Sequence, residues 1–191
     1  MNTIATCALP AEVQLPTYDR QALKSRIVHI GFGAFHRAHQ ALLTNRLLNQ
    51  QGGDWGICEV SMFGNEPLIR SLREQDHLFT VLERGATGNQ AIVVGSVSES
   101  LHGGIDGIDA IAEKLAEPQV AIVSLTITEK GYCIEPVSGK LDLQHADIIA
   151  DLQGQESPRT APGLLVEALR LRHQRGLSGF TILSCDNIPE N

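Results

Sequence analysis

The stretch RIVHIGFGAFHRAHQALLTNRLLNQ, residues 26–50, constrains the fold more than any other. RIVHI (26–30) is a compact, β-branched run of the kind that forms a buried strand. The chain then turns on Gly31 and Gly33. Residues 34–50 follow with Phe35, Ala38, Leu42, Leu43 and Leu47 at helical spacing, until QGG (51–53) stops the helix. A strand that turns on glycine straight into an amphipathic helix is the first half of a β-α-β unit. Such units build parallel sheets covered by helices on both faces.

The rest of the chain repeats this alternation. WGICEVSMF (55–63) reads as a second strand and residues 65–75 as a short helix. HLFTVLE (77–83) and AIVVGSV (91–97) flank the turn-rich RGATGNQ, which predicts an antiparallel hairpin. A helix over 107–118 ends at Pro118, and QVAIVSLTI (119–127) is the longest strand signal. A polar loop, TEKGYCIEPVSGK, and a weakly helical run at 143–153 come next. SPRTAPG (157–163) reads as a linker into an amphipathic helix over 164–176, and FTILS (180–184) as the last strand. The expected fold is α/β, a doubly wound and mostly parallel sheet with an inserted β-hairpin. Residues 1–25, with Pro10 and Pro16, read as an irregular leader, and 26–191 as one domain.

Composition removes several classes of function. There are 22 Asp and Glu against 15 Lys and Arg, with no basic run, so the clustered positive charge that binds nucleic acid is missing. No apolar run approaches the ~20 residues of a membrane helix. The first 20 residues lack the basic start and apolar core of a signal peptide. Cys7, Cys58, Cys133 and Cys185 stand too far apart for a CxxC pair. Scattered thiols in an acidic chain point to a reducing compartment, the cytoplasm.

The glycine turn carries the chemistry. A glycine there permits a backbone conformation that a Cβ penalises. A second lets the main chain approach a pyrophosphate, at which the helix then aims its free N–H groups and positive dipole end. The third glycine of the usual dinucleotide fingerprint allows close helix–strand packing, and here that position is His36. Arg37 follows, a cation that opposes the helix dipole by a few tenths of a kcal/mol unless an anion is bound nearby. Two glycines in a tight corner are also compatible with no ligand at all. An acidic residue beyond the second strand would hold ribose hydroxyls. Glu66 suits that role better than Glu59, because a carboxylate in mid-strand would face a helix. Tyr-xxx-Lys and GxxxxGK[ST] are both absent. His36 and His39 share a helix face without a neighbouring Cys or acidic residue in sequence, so no metal site is expected.

Four blocks together resemble the mannitol dehydrogenase family of polyol-specific long-chain dehydrogenases: IVHIGFGAFHRAHQA, DWGICEV, IVSLTITEKGYC (122–133) and FTILSCDNIPEN (180–191). DWGICEV and TEKGYC look most like its mannonate oxidoreductase, or fructuronate reductase, branch. The resemblance runs in order from about residue 20 to the end. It implies a Rossmann-type domain that binds NAD and metal-independent hydride transfer on a secondary alcohol of a sugar acid or polyol. It implies a nucleotide loop made of Ile27, Val28, His29, Ile30, Gly31, Phe32, Gly33, Ala34, Phe35, His36, Arg37 and Ala38, in which the missing third glycine is the family's own pattern. It places Glu66 at the position that selects NAD over NADP, and Ser124, Leu125 and Thr126 beside the nicotinamide. Asn187 matches an asparagine that stabilises the oxyanion. The lysine that serves as base in this family lies in a second, helical domain with no counterpart in residues 1–191, and Lys130 does not match it. Three readings therefore follow: the cofactor half of an oxidoreductase completed by a separate catalytic domain, a non-catalytic NAD(H)-binding module, or an inactive fragment.

Overall fold

The computed structural model describes residues 3–4, 6–86, 88–154 and 156–187. Strand β1 (Lys24–Ile30) leads into one helical rod of three segments: α1 (Ala34–His36), a π-helical turn (Arg37–Ala41) and α2 (Leu42–Gln51). Next come β2 (Trp55–Ser61), α3 (Glu66–Glu74), the hairpin β3 (Phe79–Gly85) and β4 (Gly88–Val94), and β5 (Val97–His102). Short α4 (Gly103–Asp106) and α5 (Ile108–Leu115) cross to β6 (Ile122–Leu125). A 3-10 turn (Glu129–Tyr132), α6 (Ala146–Gln153) and α7 (Ala161–Gln174) lead to β7 (Thr181–Ser184).

Five strands form a sheet in the order β5-β2-β1-β6-β7, and every pairing in it is parallel. The chain steps outward from β1 to β2 to β5, then returns to the other side of β1. That reversal leaves a crevice beyond the C-terminal ends of β1 and β6, where open α/β sheets bind their ligands. The sheet is buried on both faces. Val28, Ile30, Val60, Val123 and Leu125 pack on one side against Ile111 and Leu115 of α5 and Leu164 and Ala168 of α7. Ile27 and Ile57 pack on the other against Leu42 of α2, Ile69 and Leu72 of α3, and Ile92 and Val94 of the hairpin. The hairpin forms its own two-stranded sheet, as its turn-forming residues predicted.

Three expectations change. β5 is a full member of the sheet, although its sequence, VSESLH, gave no strand signal. Its inward positions hold Ser100 and His102, both buried. Arg73 donates to Ser100, and His102 Nε2 lies 2.7 Å from Gly64 O, so hydrogen bonds replace the apolar alternation that pattern reading depends on. Helix α7 begins at Ala161, inside the expected linker. Thr160 caps it by accepting from Gly163 N, and Pro162 sits in the first turn, where its missing N–H costs nothing. The segment before residue 26 is tied to the domain. β1 already starts at Lys24, Gln14 bridges Ile92 of β4, and Tyr18 OH donates to Asn45 Oδ1 at 2.6 Å.

Gly31, just beyond the last pairing of β1 with β6, lies tight against Thr126. Its φ is +116°, and a Cβ there would lie 2.2 Å from Thr126 O, a backbone atom that cannot swing away. Gly52 also has positive φ, +69°, but open space around it. Gly31→Ala should therefore destabilise the chain by more than about 2 kcal/mol, and Gly52→Ala by about 1 kcal/mol, in urea unfolding. Equal losses would remove the steric argument.

Candidate functional site

The turn after β1 is held from both sides. Gly31 N donates to Val60 O of β2 at 2.9 Å, and Gly33 N donates to Gly31 O at 2.7 Å. Gly33 is the N-cap of α1, in extended conformation and with no side-chain cap. The amides of Ala34, Phe35 and His36 thus have no intrahelical acceptor and face outward with the positive end of the helix dipole. A Cβ on Gly33 would meet only Gly31 O, at 3.8 Å, so the space in front of the turn is open and a side chain would fill it. Arg37 folds back over this turn, its Nε donating to Gly33 O at 3.3 Å and its guanidinium lying 5.4 Å from the Phe32 ring centre. Free amides, open space and one cation make a donor set suited to a dinucleotide's pyrophosphate. Ala34, Phe35 and Ala38 are exposed, whereas Ile27, Val28, Ile30 and Phe32 lie in the core and build the strand and turn rather than line the space.

Beneath the turn runs a buried polar row. Sheet register aligns Ser100, Glu59, His29 and Ser124 across β5, β2, β1 and β6. His36 comes down onto this row from the helix. Its ring stacks on His29 with centres 3.4 Å apart and planes 13° from parallel, and its Nε2 lies 2.5 Å from Glu59 Oε1. Ser124 Oγ donates to Gln40 Oε1 at 2.8 Å. His29 Nδ1 lies 2.8 Å from Ser124 Oγ, and its Nε2 lies 2.9 Å from Thr126 Oγ1, whose own proton goes to Gly31 O at 2.9 Å. Burial pushes the Glu59 carboxyl up to about 8. It pushes His29 down to about 4 and His36 down to about 3. Burial therefore favours the neutral form of all three groups, and with it a hydrogen bond between Glu59 and His36 over an ion pair, because neither charge would be solvated.

The sequence paired His36 with His39 and found no acidic neighbour. The structure gives His36 a carboxylate, Glu59, from the next strand, and turns His39 outward to Phe35 O at 2.7 Å. His29, His36 and Glu59 bring ligand-type atoms within 4.8 Å of one another. The two imidazoles, however, are stacked face to face with ring centres 3.4 Å apart, so their in-plane lone pairs do not converge on one point. The alternation of β1 and β2 places His29 and Glu59 on one face, but only the register puts them side by side.

The remaining expected site residues lie along the same edge of the sheet. Glu66 opens α3 just beyond β2 and pairs with Arg70 at 2.7 Å, on a half-exposed surface. Ser61 Oγ anchors the loop before it, donating to Phe63 O or Gly64 O. Ser124 and Leu125 are buried, and Thr126 follows β6 against Gly31. Asn187 is exposed beyond β7, while residues 188–191 of the NIPEN stretch lie outside the described residues. Tyr132 reaches this segment, its hydroxyl bonding Asp186 and lying 3.2 Å from Ser184 Oγ, so TEKGYC meets SCDN in space. Burial and the Asp186 charge push the Tyr132 hydroxyl up to about 12. A cleft of about 880 Å³ between α6 and α7 lies away from these residues. Its Asp151 and Arg170 are engaged by Thr160 and Glu167.

Residues 25–191 match the family described as the mannitol dehydrogenase Rossmann domain. The chain is 65% identical over 191 residues to the "Uncharacterized oxidoreductase YeiQ" of Escherichia coli K12, covering 100% of this chain and 39% of that protein. It is 51% identical over 193 residues to the D-mannonate oxidoreductase of the same organism, again covering 100% of this chain and 39% of that protein. The solved ternary complex of Pseudomonas fluorescens mannitol 2-dehydrogenase with NAD and D-mannitol superposes with a TM-score of 0.89 at 42% identity, over 95% of this chain and 37% of that one. The chain thus spans about two fifths of the length of the relatives it matches.

The buried row makes stability depend on pH in two directions. His29 and His36 have folded values below the ordinary 6.5, so their contribution is complete above pH 6.5 and is lost as pH falls toward 4 and 3. Glu59 is raised from 4.5 to about 8, so its contribution is complete below pH 4.5 and is lost as pH rises to 8. Thermal melts should peak near pH 6.5 and fall toward pH 8. Glu59→Gln should abolish the alkaline fall and leave the acid limb. An alkaline limb unchanged in that variant would assign it to another group.

Proposed function

The chain belongs to the mannitol dehydrogenase family, and on that premise we propose that it is the NAD-binding half of an oxidoreductase acting on a secondary alcohol of a sugar acid or polyol. The observation that carries this reading is the uncapped helix start behind the Gly31–Gly33 turn, open to the crevice between β1 and β6. Bound NAD(H) would supply the hydride acceptor or donor. The residues of this chain bind and orient it. The amides of Ala34, Phe35 and His36 take the pyrophosphate, with Arg37 adding positive charge. Glu66 accepts from the adenosine ribose and repels a 2′-phosphate, which favours NAD over NADP. Thr126 and the ends of β6 and β7 border the nicotinamide half. Asn187 offers a neutral amide donor to the substrate oxygen as negative charge grows on it, and the Tyr132–Asp186 bond steadies the segment that carries it.

The base that takes the alcohol proton comes from a further domain, since the relatives extend well beyond the matched length. Identity of 51% to the D-mannonate oxidoreductase, against 42% to the mannitol 2-dehydrogenase, supports a sugar acid as the substrate. Residues 26–191 act as the nucleotide-binding unit, and the segment before them packs on it through Gln14 and Tyr18. No helix among the described residues is long and apolar enough to cross a membrane, and four unpaired thiols support a cytoplasmic setting.

Titrating the 191-residue chain with NADH, read by fluorescence, tests the reading. Saturable binding is expected. Gly33→Asp should weaken it more than about 100-fold, because a carboxylate would fill the space where the pyrophosphate lies. Unchanged binding in that variant would remove the site from this turn. Glu66→Ala should narrow the preference for NADH over NADPH by about tenfold. A variant that discriminates as before would rule Glu66 out.

A further inference from the structure

We propose that Glu59 is a positioning residue of the dinucleotide site that serves it only in its protonated form. It anchors His36, and through His36 the amides of the helix start, while its neutrality keeps a negative charge out from under the bound pyrophosphate. This rests on the NAD-binding reading above. Glu66 and the glycine turn make their contributions at the surface of the site, whereas Glu59 acts from below it.

The geometry supplies two reasons. The first is mechanical. A dinucleotide turn normally uses a small residue at the third glycine position, and helix–strand spacing is then set by close backbone packing. Here an imidazole fills that space. His36 is fully buried, lies flat on His29 and bonds Glu59 at 2.5 Å, so these two side chains determine how high the helix start rides above the sheet. The backbone amide of His36 belongs to the set that faces the ligand. Whatever moves the His36 ring therefore moves the cradle.

The second reason is electrostatic. Glu59 lies one imidazole ring below an anion cradle and is fully buried, away from the screening of bulk solvent. An ionised carboxylate there repels a pyrophosphate through a medium of low dielectric, while a protonated one does not. Each element around Glu59 adds its groups. His29 lies beside it on β1, His36 and Arg37 descend from the helix, Ser124 and Thr126 follow on β6, and Ser100 stands opposite on β5 with Arg73 and His77 bonded to it. Arg37 sends a full positive charge toward it, and that residue is already committed to the turn. Glu59 Oε2 and His36 Nδ1 have no hydrogen-bond partner among the described residues, so nothing on the far side of either group prepares for a full charge. Burial holds the Glu59 proton to about pH 8, which puts its loss within an accessible range. Binding the anion must then raise that value further, and the complex must take up a proton above pH 8.

The test is NADH titration of the 191-residue chain from pH 6.5 to 9.5, with calorimetry at pH 8.5 in two buffers of different ionisation heat to count protons. Only about one molecule in ten keeps the proton at pH 9, so wild-type affinity should fall about tenfold between pH 7 and pH 9, with net proton uptake on binding at pH 8.5. Glu59→Gln should give a flat profile across that range, from whatever affinity it starts, and no uptake. A Gln variant that loses affinity with pH as the wild type does would overturn the proposal. Should Glu59→Gln fail to fold, infrared difference spectra of the wild type decide the matter. The carboxylic acid C=O band should vanish between pH 7 and 9 in step with affinity, and a band that outlasts the affinity loss would count against Glu59. Absence of NADH binding at pH 6.5 would instead refute the NAD-binding reading itself, and this inference with it.

Discussion

The approach of one helix to three strands governs the C-terminal edge of this sheet. His36 descends from the helix onto His29 and Glu59, and the turn, the exposed amides and the crevice all take their positions from that contact. The contact is polar and dry. It carries less apolar stabilisation than a leucine would, but it is directional. Rings stacked 3.4 Å apart and a short hydrogen bond leave the helix start few alternative heights. The π-helical turn immediately after it lets Gln40 reach Ser124 while α2 still presents Leu42 and Leu48 to the core.

The two faces of the sheet divide the work. The face under α5 and α7 is apolar across β1, β2 and β6, from Val28 and Cys58 to Leu125, and holds the strands together by ordinary close packing. The other face is aliphatic along the row Val97, Ile57, Ile27 and Ile122, and becomes polar at the next inward row, where Ser100, Glu59, His29 and Ser124 stand in register. The change falls at the end of the sheet where the chain reverses direction, the edge at which open α/β sheets bind their ligands. Buried polar groups are therefore concentrated where position matters more than net stability. The loop after β6 and the segment after β7 are drawn together at the same edge by Tyr132 and Asp186.

Much of this was legible in the residues. The RIVHI strand, its glycine turn, the hairpin around RGATGNQ and the β-α alternation all carry local signals, because propensity and periodicity act within a few residues. Glu59 was rightly read as facing a helix rather than open space. β5 escaped notice because Ser100 and His102 satisfy their polar groups through Arg73 and Gly64, partners far away in sequence. The start of α7 was misjudged because SPRTAPG has the composition of a linker, although Thr160 and Pro162 are also a helix cap and a first-turn proline.

The sequence by itself determined the fold class, most of the order of the elements, the family and the location of the glycine turn. Each of these depends on short-range patterns or on motifs that stay contiguous along the chain. Only the tertiary structure decided that His36 is paired with Glu59, that His29 lies beneath it, and that burial favours the neutral form of all three. Strand register brings together residues 23 positions apart, and burial, which no local pattern encodes, sets their protonation.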